Sequence, residues 1–510
     1  MPSRRDLLRC AVVGVAVATA VGAGAVAWSS TLLGEYSVMD MGGGHGTGTA
    51  NGHTGHGSSA GSGAAAASGA VDGSDTVSVA DLVADPDRAP DVRVELVARQ
   101  GTIDVPGGRP VEGYTVNGTS PGPEIRARQG DLVEVTFVNE SVADGATLHW
   151  HGIDVPNAAD GVAGVTQDAV PVGGRFTSRF VATEAGTYWY HSHQVSHEQV
   201  VGGLLGAVVI DPAEQSATAD AATDVTALLH VYGGQQTLNG AAEDEFVAAA
   251  PGTTVRVRVL NTDQGTASVW SDAPFRVVAT DGHEVHEPGE VAGQRLLIPA
   301  GGRVDVLVRA RDDGEPVRVH TGGARSVVVG GSLRQAQGPD DVPQPSESLD
   351  LLAYGAPEPL EFDPSQPDRE YEYVIARRFG IIDGRPGNFW TINGRMFPDV
   401  PMFDVREGDV VVMHLRNDSS EVHPMHLHGH HVVVLSRDGV AASGSPWIVD
   451  SLDVHPGEAY DIAFVADNPG IWSDHCHTLA HAVDGLITHL MYEGVTTPYT
   501  IHGDAGNSPE

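Results

Sequence analysis

The chain has 510 residues, of which 41% are hydrophobic, and a formal net charge of −38. That length exceeds one ordinary domain and predicts about three, and the hydrophobic share fits packed cores rather than a disordered chain. The charge excludes a nucleic-acid partner, whose phosphates it would repel, and serves solubility more than the steering of cationic reductants.

The first 30 residues open Ser3-Arg4-Arg5-Asp6-Leu7-Leu8 and continue as an Ala/Gly/Val-rich apolar run from Ala11 to Ala27. Twin Arg before such a run resembles a twin-arginine export signal, and Ala25-Val26-Ala27 offers a small-x-small cleavage site. The run is Gly-rich and only moderately apolar, which favours cleavage over a retained membrane anchor. The expected location is therefore periplasmic, cell-surface or secreted, with no stable membrane insertion. Residues 31–84 are expected to form a flexible linker, since their Gly/Ser/Ala/Thr composition, clearest over 37–75, carries no sustained apolar period. Met39, Met41, His45, His53 and His56 in this tract are metal-ligand types, though a disordered tract that contains His reads equally well.

From about residue 90, Val-rich alternating segments separated by Gly, Pro, Asn and Asp predict an all-β chain of sandwiches. A pattern recurs three times. Asn117-Gly118, Asn239-Gly240 and Asn393-Gly394 each lead into a Val-rich alternating segment and then reach an Asn, at 139, 261 and 417. Later, Gly173-Gly174-Arg175, Gly301-Gly302-Arg303 and Pro456-Gly457-Glu458 each precede another alternating strand. The repeats place three β-sandwich domains at 85–212, 213–365 and 366–500, with a polar surface loop over 333–349.

Four His-x-His pairs occupy the first and third repeats: His149/His151, His191/His193, His426/His428 and His475/His477. Alternate strand residues share a face, so each pair presents two imidazoles together. Cys476 stands between the last pair and faces the other way, with His423 and His481 left over. The chain has two Cys, and Cys10 lies in the export segment, so no partner competes for the Cys476 thiol. Two His and one Cys are the ligand set of a blue copper site. Gly186–His193 parallels Gly470–His477, which makes Ala146, Ser192 and His197 the first repeat's counterparts of His423, Cys476 and His481. Two of those three cannot ligate, so that site is expected to be empty and His197 to have a structural or surface role. The middle repeat reads Val317-Arg318-Val319-His320 at this point and is expected to be a spacer.

These motifs resemble a bacterial, laccase-like, three-domain multicopper oxidase over roughly residues 90–500. The resemblance implies three cupredoxin-like Greek-key sandwiches and four coppers per chain. It implies that His423, Cys476 and His481 bind a type 1 copper, and that His149 and His426 bind a type 2 copper. His151, His191, His193, His428, His475 and His477 would bind a type 3 pair. The implied activity is one-electron oxidation of phenols or aromatic amines at the type 1 copper. Electrons would pass through Cys476 to His475 or His477 and reduce O2 to water at a cluster between the first and third domains. Partners would be O2 and a small reductant. Oxidation of Fe(II) or Cu(I) is the alternative, although no Met-rich insertion points to Cu(I). A non-catalytic envelope scaffold or a copper buffer is the reading from another class, opposed by the eleven retained ligands.

The chain departs from the family in two places. Ten residues beyond the Cys, where relatives often carry an axial Met, stands Leu486, which cannot coordinate and should raise the type 1 potential; Met491 is expected in the core. Relatives supply a proton-donating carboxylate directly after the second blue-site His or three residues beyond the Cys, where this chain has Ala482 and Leu479. Asp160, in Asn157-Ala158-Ala159-Asp160-Gly161, is the replacement candidate, with Asp474 second; both also suit turns. Asp450 is a candidate for orienting a reductant near the blue site, or a strand-end acid without that role.

Overall fold

Asn117, Asn239 and Asn393 sit in the left-handed region, at φ of 53°, 51° and 52°. Asn tolerates that region because its short amide can bond the local backbone. Here each side chain accepts the N–H of Val97, Leu228 or Val374 and donates to the carbonyl of Glu95, Thr226 or Glu372. The amide thereby pins a turn to the middle of the neighbouring strand, three times over. Asn139, Asn261 and Asn417 repeat a second device. Each is buried and donates to carbonyls of a crossing loop.

The computed structural model describes residues 32–42, 76–213, 221, 223–323, 325–332 and 342–510. The expected export segment, residues 43–75 with their His, and 333–341 lie outside the described residues. Among the described residues no helix is long and apolar enough to cross a membrane. Each repeat builds two sheets. In the first sheets, Val92–Ile103 runs parallel to Leu132–Asn139, Thr223–Tyr232 to Thr254–Asn261, and Arg369–Ile382 to Val410–Asn417. In the second sheets, Ile125–Arg128, Glu245–Val247 and Phe403–Val405 each run parallel to the last strand of their sandwich. Alternating Val, Leu, Ile and aromatic residues from the two sheets fill one core per sandwich. The chain is thus all-β, as expected.

The second sheets of the first and third repeats carry the His-x-His motifs. One is ordered Ile125–Arg128, Leu205–Asp211, Gly186–His191, His149–His151; the other is Phe403–Val405, Ile487–Tyr492, Ile471–Cys476, His423–Leu427, Ser451–Val454. The corresponding sheet of the middle repeat carries Val317–His320 without the motif.

The linker expected over 31–84 is ordered at both ends. Val38 and Val79 are buried in the third core, with Met41 beside them. Val77–Ser78 pairs with Val495–Thr496, and Tyr36 bridges to Ile501. Average composition conceals these few apolar anchors, each of which finds a groove on the third sandwich.

Candidate metal centre

Strand pairing sets the eight imidazoles face to face. His149 lies opposite His191 in one sheet, and His426 opposite His475 in the other. The two sheets bring their pairs together: His149 stacks on His428 at 3.8 Å between ring centroids, and His151 on His426 at 3.7 Å. His477 lies 4.9 Å from His151 and 5.5 Å from His191, while His193 lies 5.1 Å from His475. None of the eight rings is more than 1% exposed. Half come from each domain, so neither domain builds the site alone.

The outward ring nitrogens are anchored. His149 Nδ1 donates to the Asp160 carbonyl at 2.9 Å, His191 Nδ1 to Ser192 O at 3.0 Å, His193 Nδ1 to Pro509 O at 3.1 Å and His426 Nδ1 to Asp450 O at 2.8 Å. A carbonyl can only accept, so each of these nitrogens carries the proton and its partner is a bare lone pair. Those partners, Nε2 of His149, His191, His193 and His426, are buried without a hydrogen bond. His151 is turned the other way: Nε2 meets Asp450 Oδ1 at 3.1 Å, and Nδ1 is the orphan. His428 and His475 point Nε2 at each other across 3.2 Å. Burial first, then neighbouring imidazoles, hold His151, His191, His193, His428, His475 and His477 well below the usual imidazole range. Neutral rings with converging lone pairs fit a metal cluster and no other buried use. The ligand atoms of His193, His428 and His475 lie within 4.8 Å of one another, as do those of His149, His426 and His428.

On the other face of the same strand, Cys476 Sγ lies 3.7 Å from His423 Nδ1 and 3.6 Å from His481 Nδ1, and the two nitrogens are 3.2 Å apart. His481 reaches this position from the short helix Leu479–Val483. Burial pushes the Cys476 thiol up, so a thiolate here requires a cation between the three atoms. Ser419 Oγ backs His423 Nε2 at 2.9 Å and Glu421 Oε2 backs His481 Nε2 at 3.2 Å. Trp390 packs on both rings, at 4.5 and 4.7 Å. The soft sulfur and two imidazoles suit copper. Leu486 is fully buried and its backbone bonds both ligand residues, accepting from Cys476 N–H and donating to His481 O. Met491 is buried in the third core, as expected.

Of the acids singled out, Asp160 enters the site. Its Oδ1 accepts from His149 Nδ1 at 3.0 Å and His428 Nδ1 at 3.1 Å. Asp474 does not; it pairs with the Tyr373 hydroxyl at 3.5 Å in the third core. Asp450 is fully buried against His151 and cannot meet a reductant at the surface, which removes that candidate role. At the first-domain counterpart of the blue site, Ser192 donates to Gln199 Oε1 at 2.7 Å, and His197 is one-third exposed with Nε2 3.8 Å from Glu198. Sequence reasoning missed Glu510, whose Oε1 lies 3.7 Å from His475 Nδ1 and 4.0 Å from His193 Nε2; burial raises its carboxyl to about 8. No local pattern marks it, because the tail reaches the site by contacts more than 300 residues apart, such as Pro509 with His193.

Comparison with known proteins gives a consistent picture. Family models described as multicopper oxidase match residues 97–215 and 375–494. The multicopper oxidase MmcO of Mycobacterium tuberculosis is 29% identical, over 80% of this chain and 88% of that protein. Laccase-1 of Botryotinia fuckeliana is 28% identical, over 78% and 81%. The crystal structure of a multi-copper oxidase from Pseudomonas thermotolerans superposes with a TM-score of 0.64 at 28% identity, covering 78% of this chain and 98% of that one.

Proposed function

Because this chain belongs to the multicopper oxidase family, whose members are copper-dependent oxidoreductases using O2, we propose that it oxidises phenols and aromatic amines. His423, Cys476 and His481 hold the type 1 copper, His149 and His426 the type 2, and the other six imidazoles the type 3 pair. When bound, these four coppers supply one-electron acceptance from the reductant and four-electron reduction of O2 to water. His481, 15% exposed, meets the reductant. Cys476 and the peptide links to His475 and His477 join the two sites. Asp160 fixes the Nδ1 protons of His149 and His428 and is the acid placed to hand a proton into the cluster. The middle sandwich holds no copper, and the tail beyond residue 500 belongs with the third. The twin-arginine segment exports the protein.

The observation that carries the choice of reductant is the pairing of Glu421 with Arg377 at 2.7 Å, directly behind His481. The guanidinium compensates the carboxylate charge, so the face offers hydrogen-bond partners to a neutral phenol rather than a free anionic seat for a metal ion. A second reading, oxidation of Fe(II) or Cu(I), is favoured by the net charge of −38. Steady-state kinetics of the copper-loaded protein on a phenol, Fe(II) and Cu(I), side by side, decide between them. The phenol is expected to have the highest kcat/KM. A higher value for either metal ion would replace this reading with the second.

A further inference from the structure

The middle sandwich has no ligand motif, yet it touches the cluster. Its turn Gly301-Gly302-Arg303 packs against His151. A Cβ on Gly301, where φ is +85°, would lie 2.7 Å from His151 Cε1, and the Gly301 carbonyl accepts from Trp189 Nε1 at 3.1 Å. Arg303, fully buried, then crosses all three sandwiches. Nε donates to Thr187 O of the first at 3.1 Å. NH1 donates to Asp450 Oδ1 of the third at 2.6 Å, and NH2 faces Oδ2 of the same carboxylate at 2.5 Å as an ion-pair contact, so the guanidinium plane spans both oxygens. Asp281, also of the middle sandwich, accepts the Arg303 N–H at 2.7 Å and the N–H groups of Asp450 and Ser451 at 3.2 Å. Gly152, next to ligand His151, leaves the room: a Cβ there would lie 2.1 Å from Arg303 NH2.

Asp450 is thus gripped at its backbone by Asp281 and at its carboxylate by Arg303. Among its other contacts are two cluster imidazoles. Oδ1 accepts from His151 Nε2 at 3.1 Å, and the carbonyl accepts from His426 Nδ1 at 2.8 Å. The Arg303 guanidinium lies against this carboxylate on the side away from the cluster, so its Oδ1 is held as the acceptor of the His151 Nε2 proton.

We infer that Arg303 is a positioning residue for the trinuclear site, clamping Asp450 so that His151 is held with Nδ1, and His426 with Nε2, turned into the cluster. The middle sandwich is then part of the oxygen-reducing machinery and more than a spacer. The inference rests on the reading of the eight imidazoles as a copper cluster. It also explains an Arg rather than a Lys, since only a planar fork can engage both carboxylate oxygens while Nε reaches a third chain segment.

The test is Arg303→Lys in the full copper-loaded chain, which keeps the charge and loses the fork. Copper per chain, the electron paramagnetic resonance spectrum and the two half-reactions are measured. Anaerobic reduction of the blue band by a phenol is expected at the parental rate. Reoxidation by O2 is expected to slow by about 10–100-fold, with an altered type 2 signal, as for loss of a ligand-orienting partner. Asp281→Asn, which weakens the backbone grip alone, is expected to slow the same half-reaction to a smaller degree, and stands in should Arg303→Lys fail to fold. Parental reoxidation with four coppers overturns the inference alone. Equal slowing of both half-reactions, in step with a lower melting temperature of the copper-free protein, assigns Arg303 to folding and also overturns it. A parent protein that binds no copper beyond the type 1 site overturns the cluster reading itself.

Discussion

Removing the Asp160 carboxylate separates its two roles, and the structure sets the size of each. Asp160 is 1% exposed, and its carboxylate serves two rings. In Asp160→Ala, His149 keeps a partner, because the backbone carbonyl of residue 160 lies 2.9 Å from its Nδ1. His428 keeps none, since Oδ1 and Oδ2 at 3.1 and 3.2 Å are its acceptors. One ligand of eight is therefore disoriented, and the expected loss of copper affinity at the cluster is about 10–100-fold, or roughly 1.4–2.7 kcal/mol. In Asp160→Asn, the amide oxygen can still accept from both rings, so four coppers and the blue band are expected to remain. The amide cannot give up a proton as the acid does, and reoxidation of the reduced protein by O2 is expected to slow by about 10²–10⁴-fold, the usual size of general-acid assistance. Stopped-flow reoxidation of the blue band, with metal analysis of the same samples, measures both quantities. An Asn variant that reoxidises as fast as the parent would end the acid role, and an Ala variant that retains all its copper would end the positioning role.

Leu486→Met is expected to lower the type 1 potential, because a thioether beside the three ligands stabilises Cu(II); a drop of 60 mV would be roughly 1.4 kcal/mol for one electron, read by redox titration of the blue band, and an unchanged or higher potential would place another residue at the axial position. Deleting residues 1–79 is expected to destabilise the third sandwich, since Val38 and Val79 leave its core. Each is worth about 1.5–3 kcal/mol as an upper bound, so a melting temperature equal to the parent's would contradict their anchoring role. Burial raises the Asp474 carboxyl to about 7, opposed by the Tyr373 hydroxyl bond. The folded state thus favours the neutral acid. Stability from this group is present in full below the ordinary pKa of 3.8 and is lost as pH rises through about 7. Asp474→Asn should therefore gain stability over the parent at pH 8 but not at pH 4 in the copper-free protein, and an equal difference at both pH values would refute the shift.

The candidate ligand residues were legible because most sit in short motifs whose spacing maps directly onto a pleated strand. His-x-His means two rings on one face, and the Asn-Gly turns with their matching buried Asn mark each sandwich. What stayed hidden depends on contacts between distant segments. Arg303 sits in a Gly-Gly-Arg pattern that the repeats explain as a strand start, and nothing local says that its fork reaches Asp450, 147 residues away. Glu510 fell outside the predicted third domain altogether. Val38, Met41 and Val79 were diluted by the Gly- and Ser-rich tract around them, so a composition average misdescribed the packed ends of 31–84. Asp450 reads the same whether it faces solvent or a cluster; its burial comes from the middle sandwich closing over it.

If Cys476 with His423 and His481 holds one copper while eight imidazoles from two sandwiches hold three, the two sites separate on mutation. Metal analysis of the parent and of Cys476→Ser, with their visible spectra, is the measurement. The parent should carry four coppers per chain and an intense blue band; the variant should carry three and lack the band. A variant that keeps the band, or that loses all copper together, would contradict the division into two sites.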